Sequence, residues 1–160
     1  MIKVVGIDPG IERLGWGVLI KKENGIIARV DSGVNRTPKT DRTSKRLLAI
    51  QQFLDELMKK EKPDLVSVEK LFFSKNVKTA MIIGEVRGVI LATIEKHNIS
   101  LVEFTPMQVK AAVAGNGNAD KAEVASMLKL SITLPPKKLL DDETDALALA
   151  LTGLVYKKFG

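Results

Sequence analysis

Lys3-Val4-Val5-Gly6-Ile7-Asp8-Pro9-Gly10 is a short apolar run that ends on an acid and breaks at Pro-Gly. A run of this length closed by turn residues reads as a buried β-strand. Gly15 to Ile20 and Ile26 to Val34 are two more such runs, and Lys21 to Gly25 between them carries turn residues. These short connections predict an antiparallel meander. Further along, the period changes. Leu47, Leu48, Ile50, Phe53, Leu54, Leu57 and Met58 recur at helical spacing. Thr40 or Asp41 is expected to cap that helix, and Lys59-Lys60-Glu61-Lys62-Pro63 to end it. Asp64 to Glu69 reads as a fourth strand, Val77 to Ile94 as a long helix and Leu101 to Phe104 as a fifth strand. Shorter helices over Met107 to Ala114 and Lys121 to Leu128 follow, and a last helix over Glu143 to Tyr156. Strands first, then alternating helix and strand, predict an α/β fold. It is a mixed five-stranded sheet with helices on both faces, one domain spanning residues 1–160.

The charge balance narrows the class of partner. Lys and Arg number 25 against 19 Asp and Glu, a net charge of +6 that favours a polyanion such as nucleic acid or an anionic membrane. The cations are dispersed, so they form no basic tail. The absence of cysteine excludes disulfides, thiolate metal sites and a cysteine nucleophile. The opening has no signal-peptide layout, and no apolar stretch approaches the ~20 residues of a membrane span. A soluble cytoplasmic protein with no membrane association is expected.

Four acids are attached to apolar elements. Asp8 ends the first strand and Glu69 the fourth, while Asp142 and Asp145 open the last helix in Asp141-Asp142-Glu143-Thr144-Asp145-Ala146-Leu147-Ala148. Asp142 and Asp145 stand at i, i+3 and can face the same way. The ordinary role of a first-turn acid is capping, that of Asp8 before Pro-Gly is turn formation, and Glu69 can be an exposed strand end. Convergence is the other reading. Clustered carboxylates repel each other and lose solvation, and they persist where a divalent cation sits among them. With oxygen ligands and no Cys or nearby His, that cation is magnesium or manganese rather than zinc. Two such ions ~4 Å apart hydrolyse phosphodiesters by activating a water and stabilising the leaving oxygen.

At these residues the chain resembles RuvC, the bacterial Holliday-junction resolvase family. Gly6-Ile7-Asp8-Pro9-Gly10 with Gly15-Trp16-Gly17-Val18 is similar to the family's opening motif, and Val68-Glu69-Lys70-Leu71-Phe72-Phe73 to its second. Thr105-Pro106-Met107-Gln108-Val109-Lys110 and Asn118-Ala119-Asp120-Lys121 match its basic segments, and Asp142 to Ala148 its last acidic motif. The order and spacing agree over essentially the whole chain. Leu14, where the family often carries a small hydroxyl residue, departs from the pattern without removing a carboxylate.

The resemblance implies a ribonuclease-H-like fold and a metal-dependent endonuclease that resolves four-way DNA junctions. Asp8, Glu69, Asp142 and Asp145 would hold two Mg2+ ions, with Mn2+ able to substitute, and Lys121 would assist catalysis. A homodimer would nick two opposed strands, leaving 5′-phosphate and 3′-hydroxyl ends, and would work with the RuvA–RuvB branch-migration complex. Asp141 leaves a register ambiguity, since Asp141 and Asp145 stand at i, i+4. The family spacing selects Asp142.

Phe72 and Phe73 follow Glu69 after Lys70 and Leu71 and are two of only five phenylalanines. They are core residues, or one stacks on DNA; the family match favours Phe72. Lys75, Lys78, Lys110 and Lys121 are candidates to contact DNA, as are Arg42, Lys45 and Arg46, although a solvated lysine is the common case. Ala80, Gly84 and Gly88 form an i, i+4, i+8 ridge on the long helix, for close approach either to the protein's own sheet or to the same helix of a second subunit. His97 is read as structural. Three other functions compete: a nuclease of the YqgF or ribonuclease H type, an actin-like nucleotide-binding module, and a non-catalytic DNA-binding protein. The ordered four-acid set argues against the first. The lack of a second phosphate-binding glycine motif argues against the second. The third leaves the acids unexplained.

Overall fold

A computed structural model describes residues 1–70, 77–134 and 138–159. Among them β1 (Ile2–Asp8), β2 (Arg13–Lys21), β3 (Ile27–Arg36), β4 (Leu65–Glu69) and β5 (Leu101–Phe104) form a single sheet in the order β3-β2-β1-β4-β5. β1 to β3 are the expected antiparallel meander, whereas β4 and β5 add to β1 in parallel. α1 (Thr43–Glu61) and α2 (Val77–Lys96) cover one face. α3 (Pro106–Ala114), α4 (Lys121–Ser131) and α5 (Asp141–Phe159) cover the other.

Alternation along the central strands divides the core into two layers. Val5, Ile7, Val18, Val66 and Val68 point to α1 and α2 and pack on Ile50, Leu54, Val86 and Ile90. Val4, Leu19 and Leu65 point the other way, onto Leu147, Leu151 and Leu154 of α5. On this second face the helix lies very close. A Cβ on Gly6 would fall 1.9 Å from the Ala146 carbonyl oxygen, one on Gly15 2.0 Å from that of Asp142, and one on Gly153 2.1 Å from Ser67 Oγ. Only glycine, with no side chain, permits that approach. Asp8 has the parity of Val4 and Gly6, and Glu69 that of Leu65 and Ser67. Two-residue periodicity therefore directs both acids to the α5 side.

The elements begin and end where local chemistry allows. Thr105 caps α3 in a reciprocal pair with Gln108, Pro106 occupies the first turn, and Gly115 closes the helix at φ 74°. Asp120 and Glu123 form the equivalent box on α4. The expected capping of α1 is corrected. Arg42, not Thr40 or Asp41, occupies the N-cap and makes no side-chain cap bond. The Asp41 amide instead donates to the Pro38 carbonyl in a preceding turn, and the Asp41 carboxylate accepts from Lys45 at 2.9 Å. α5 begins at Asp141, two residues earlier than the apolar period indicated, which brings Asp141, Asp142 and Glu143 into its first turn. His97 has the structural role expected of it: its Nε2 lies 2.7 Å from Asp55 Oδ1 and ties the end of α2 to α1. No described helix is long and apolar enough to cross a membrane.

Candidate active site

The ends of β1 and β4, α3, the start of α4 and the second and third turns of α5 meet at one cavity of about 250 Å³. Asp8, Glu69, Asp145, Lys110 and Lys121 line it, over a floor that includes Val109, Val124, Ala148 and Leu149. Burial, then Glu69, Asp145 and Asp142 in that order, push the Asp8 carboxyl up from 3.8 to about 7, against the opposing effect of Lys121. Glu69 is raised as well, first by burial and then by Asp145. The carboxylates are thus close enough to repel one another, and Asp142 belongs to the group that acts on Asp8.

Each α5 acid has its own neighbour. Lys121 Nζ donates to Asp145 Oδ2 at 3.1 Å, and that bond raises the lysine above its ordinary value. Asp141 is exposed, and the charge it bears on is Lys121. Asp142 meets Arg13 of β2 in an ion pair. The contact runs between Arg13 Nη2 and Asp142 Oδ2, and Arg13 Nε is buried without a hydrogen bond. Glu143 turns away from the cavity and is buried against β3, where Ser32 Oγ donates to its Oε1 at 2.6 Å.

Among the described residues no three Asp, Glu or His side chains are gathered closely enough to hold a metal ion. Lys121 draws on Asp145 and Arg13 on Asp142. The donor set nevertheless fits a hard divalent cation. All its donors are oxygens, and two of its carboxyls are raised by burial and mutual repulsion.

Of the residues expected to touch DNA, Lys110 and Lys121 line the cavity, while Lys78 is exposed at the start of α2 and does not. Phe72, Phe73 and Lys75 lie outside the described residues. Arg13 was not singled out from the sequence. Its signal was strand parity: it precedes Gly15 by two, so its side chain lies on the α5 face.

A family model described as "Crossover junction endodeoxyribonuclease RuvC" matches residues 4–153. The chain belongs to the RuvC family. RuvC of Petrotoga mobilis is 49% identical over 147 residues, 92% of this chain and 90% of that protein. RuvC of Thermosipho melanesiensis is 43% identical over 158 residues, 99% of this chain and all of its own. Among solved structures, Thermus thermophilus RuvC in complex with a Holliday junction substrate superposes with a TM-score of 0.94 at 32% identity, covering 100% of this chain and 97% of that one. A yeast mitochondrial Holliday junction resolvase, 15% identical with a TM-score of 0.72, shares the fold. The ribonuclease-H-like sheet expected from the motifs is therefore the RuvC sheet, with Asp8 and Glu69 at the ends of two of its strands.

Proposed function

We propose that this RuvC protein is a single-domain endonuclease that resolves four-way (Holliday) DNA junctions in homologous recombination and repair. What supports the proposal is that Asp8, Glu69 and Asp145 line one cavity of a RuvC fold, with Asp142 near enough to raise Asp8 alongside them. Those four would hold two Mg2+ ions, for which Mn2+ would substitute. Bound there, such ions would supply activation of the attacking water and stabilisation of the leaving 3′ oxygen, the chemistry that gives 5′-phosphate and 3′-hydroxyl ends.

The chain's own residues do the remaining work. Asp8 must be ionised to bind a cation, and its raised pKa makes that ionisation and metal binding mutually dependent. Lys121 keeps Asp145 at the cavity and, with Lys110, offers positive charge to a phosphate. Phe72 would stack on a base beside the cut, with Phe73, Lys75 and Lys78 along the DNA path.

Symmetric cuts need two sites, so the working form is a homodimer. The ridge on α2 supports this. Among the described residues nothing comes within 4 Å of a Cβ built on Gly84 or Gly88, so the protein's own sheet is not what these glycines approach, and Val77 and Met81 beside them are exposed. The DNA substrate implies the cytoplasm, and the family implies the RuvA–RuvB complex as partner.

The test is cleavage of a synthetic mobile four-way junction, with plain duplex and RNA–DNA hybrid alongside, with and without Mg2+. Paired nicks in the junction only, and only with metal, are expected. Equal cutting of the hybrid or the duplex would refute the proposal.

A further inference from the structure

We infer that Glu143 is a positioning residue of the active site: its carboxylate, gripped from β3 by Ser32 and Arg29, sets the roll of α5 that aims Asp142 and Asp145 at Asp8. This rests on the reading of those two aspartates as metal ligands. Glu143 is only 3% exposed, and a carboxylate so placed is costly without partners. It has them. Ser32 Oγ donates to Glu143 Oε1 at 2.6 Å, and Arg29 Nε donates to the same Ser32 oxygen at 2.5 Å. Arg29 Nη2 lies 3.7 Å from Glu143 Oε1 and equally 3.7 Å from Asp31 Oδ1.

The strand is built to make this grip. Arg29 and Ser32 are three residues apart, and in a regular strand they would point to opposite faces. Between them the register with β2 shifts: Arg29 pairs with Leu19 and Ser32 with Gly17, so β3 advances three residues while β2 advances two. The extra residue of this β-bulge turns both side chains to the α5 face, where Leu19 and Gly17 also point.

The grip matters at the start of α5. Its first turns rest on Gly6, Gly15 and Gly17, which have no side chains to resist rolling there, whereas Val4, Leu19 and Leu65 pack against Leu147, Leu151 and Leu154. Side chains reach ~5 Å from a helix axis, so a roll of ~20° would carry a carboxylate ~2 Å sideways. That is about one Mg–O bond length. Glu143 follows Asp142 by ~100° around the axis, so holding it on β3 points Asp142 and Asp145 along the sheet toward the cavity.

The test is titration of Mn2+ into DNA-free protein, followed by electron paramagnetic resonance of the free ion, alongside the Mg2+ dependence of junction cleavage. Ser32→Ala and Glu143→Gln should weaken Mn2+ binding about tenfold and raise half-saturating Mg2+ in parallel, in protein that melts cooperatively. Ser32→Thr, which keeps the hydroxyl, should bind close to wild type. If Glu143→Gln fails to fold, Ser32→Ala decides, since it leaves the carboxylate and Arg29 in place. Asp145→Asn is the control and should lose binding. Wild-type Mn2+ affinity in Ser32→Ala and Glu143→Gln, with loss in Asp145→Asn, would reduce Glu143 to a fold residue and overturn the inference. Wild-type affinity in Asp145→Asn would overturn the ligand assignment, and the inference with it.

Discussion

Asp141 and Asp142 are adjacent in the chain but differ in what surrounds them. Asp142 acts on Asp8 and pairs with Arg13, whereas Asp141 is exposed and acts on Lys121. Asp142→Asn should therefore abolish junction cutting, as should Asp8→Asn, Glu69→Gln and Asp145→Asn, each with junction binding largely kept. Asp141→Asn should cut within a few-fold of wild type. Single-turnover cleavage beside a gel-shift assay checks this, and near-normal turnover in Asp8→Asn would dismiss the site. Phe72 is argued from its place after Glu69. Stacking on a base is worth ~1–3 kcal/mol, so Phe72→Ala should slow cutting of a paired junction by about tenfold or more. A mismatched centre has already lost part of its stacking and should need the ring less. Equal losses on both junctions would mean that Phe72 only packs.

Between elements, the close seat of α5 on the sheet makes the most exacting demand. An alanine at Gly6 would put its Cβ 1.9 Å from a backbone oxygen, which no rotamer change relieves. Gly6→Ala should cost ~3 kcal/mol or more, read from urea denaturation. Gly15→Ala pushes instead on Asp142, so it should lose cutting beyond what its stability loss explains. Wild-type stability in Gly6→Ala would show that α5 can lift off freely. The glycines of α2 make the opposite prediction. With open space around Gly84, Gly84→Leu should leave the protomer folded and raise the dimer dissociation constant. Sedimentation velocity showing an unchanged dimer would move the interface elsewhere.

For the molecule as a whole, the carboxylate cluster links pH, metal and stability. Asp8 is raised from 3.8 to about 7 in the metal-free fold, so the unfolded chain gives up this proton more readily. Its contribution to stability is fully present below about pH 3.8 and is lost as pH rises through about 7, by at most ~4 kcal/mol. Glu69, also raised, acts in the same direction. A bound divalent cation reverses the loss because it prefers the ionised form. Magnesium should therefore raise the melting temperature clearly at pH 8 and hardly at pH 5, as scanning calorimetry would show. An equal rise at both would mean that the ion does not bind at Asp8.

Much of this was legible in the residue order. Strand and helix periods are local, and the same two-residue parity that buries Val4 and Gly6 points Asp8 to the α5 side. The acids at the strand ends, read with the motifs around them, pointed to the end of the sheet where Asp8 and Glu69 line a cavity with Asp145. Other features depend on contacts between distant segments. Thr40 and Asp41 are good capping residues, yet a turn back to Pro38 takes Asp41 before the helix starts. Asp141, Asp142, Glu143 and Asp145 are one acidic string in the sequence. Which of them meets the cavity, the solvent or β3 follows from the phase at which α5 docks on three glycines. Arg29 and Ser32 reach Glu143 only because β3 carries a bulge, which inserts one residue without leaving a mark in the local pattern. Pattern fixes which residues can share a face. The rotation of one element against another is set by packing and charge across the whole chain, and that rotation puts Asp142 beside Arg13 and Glu143, one residue on, against β3.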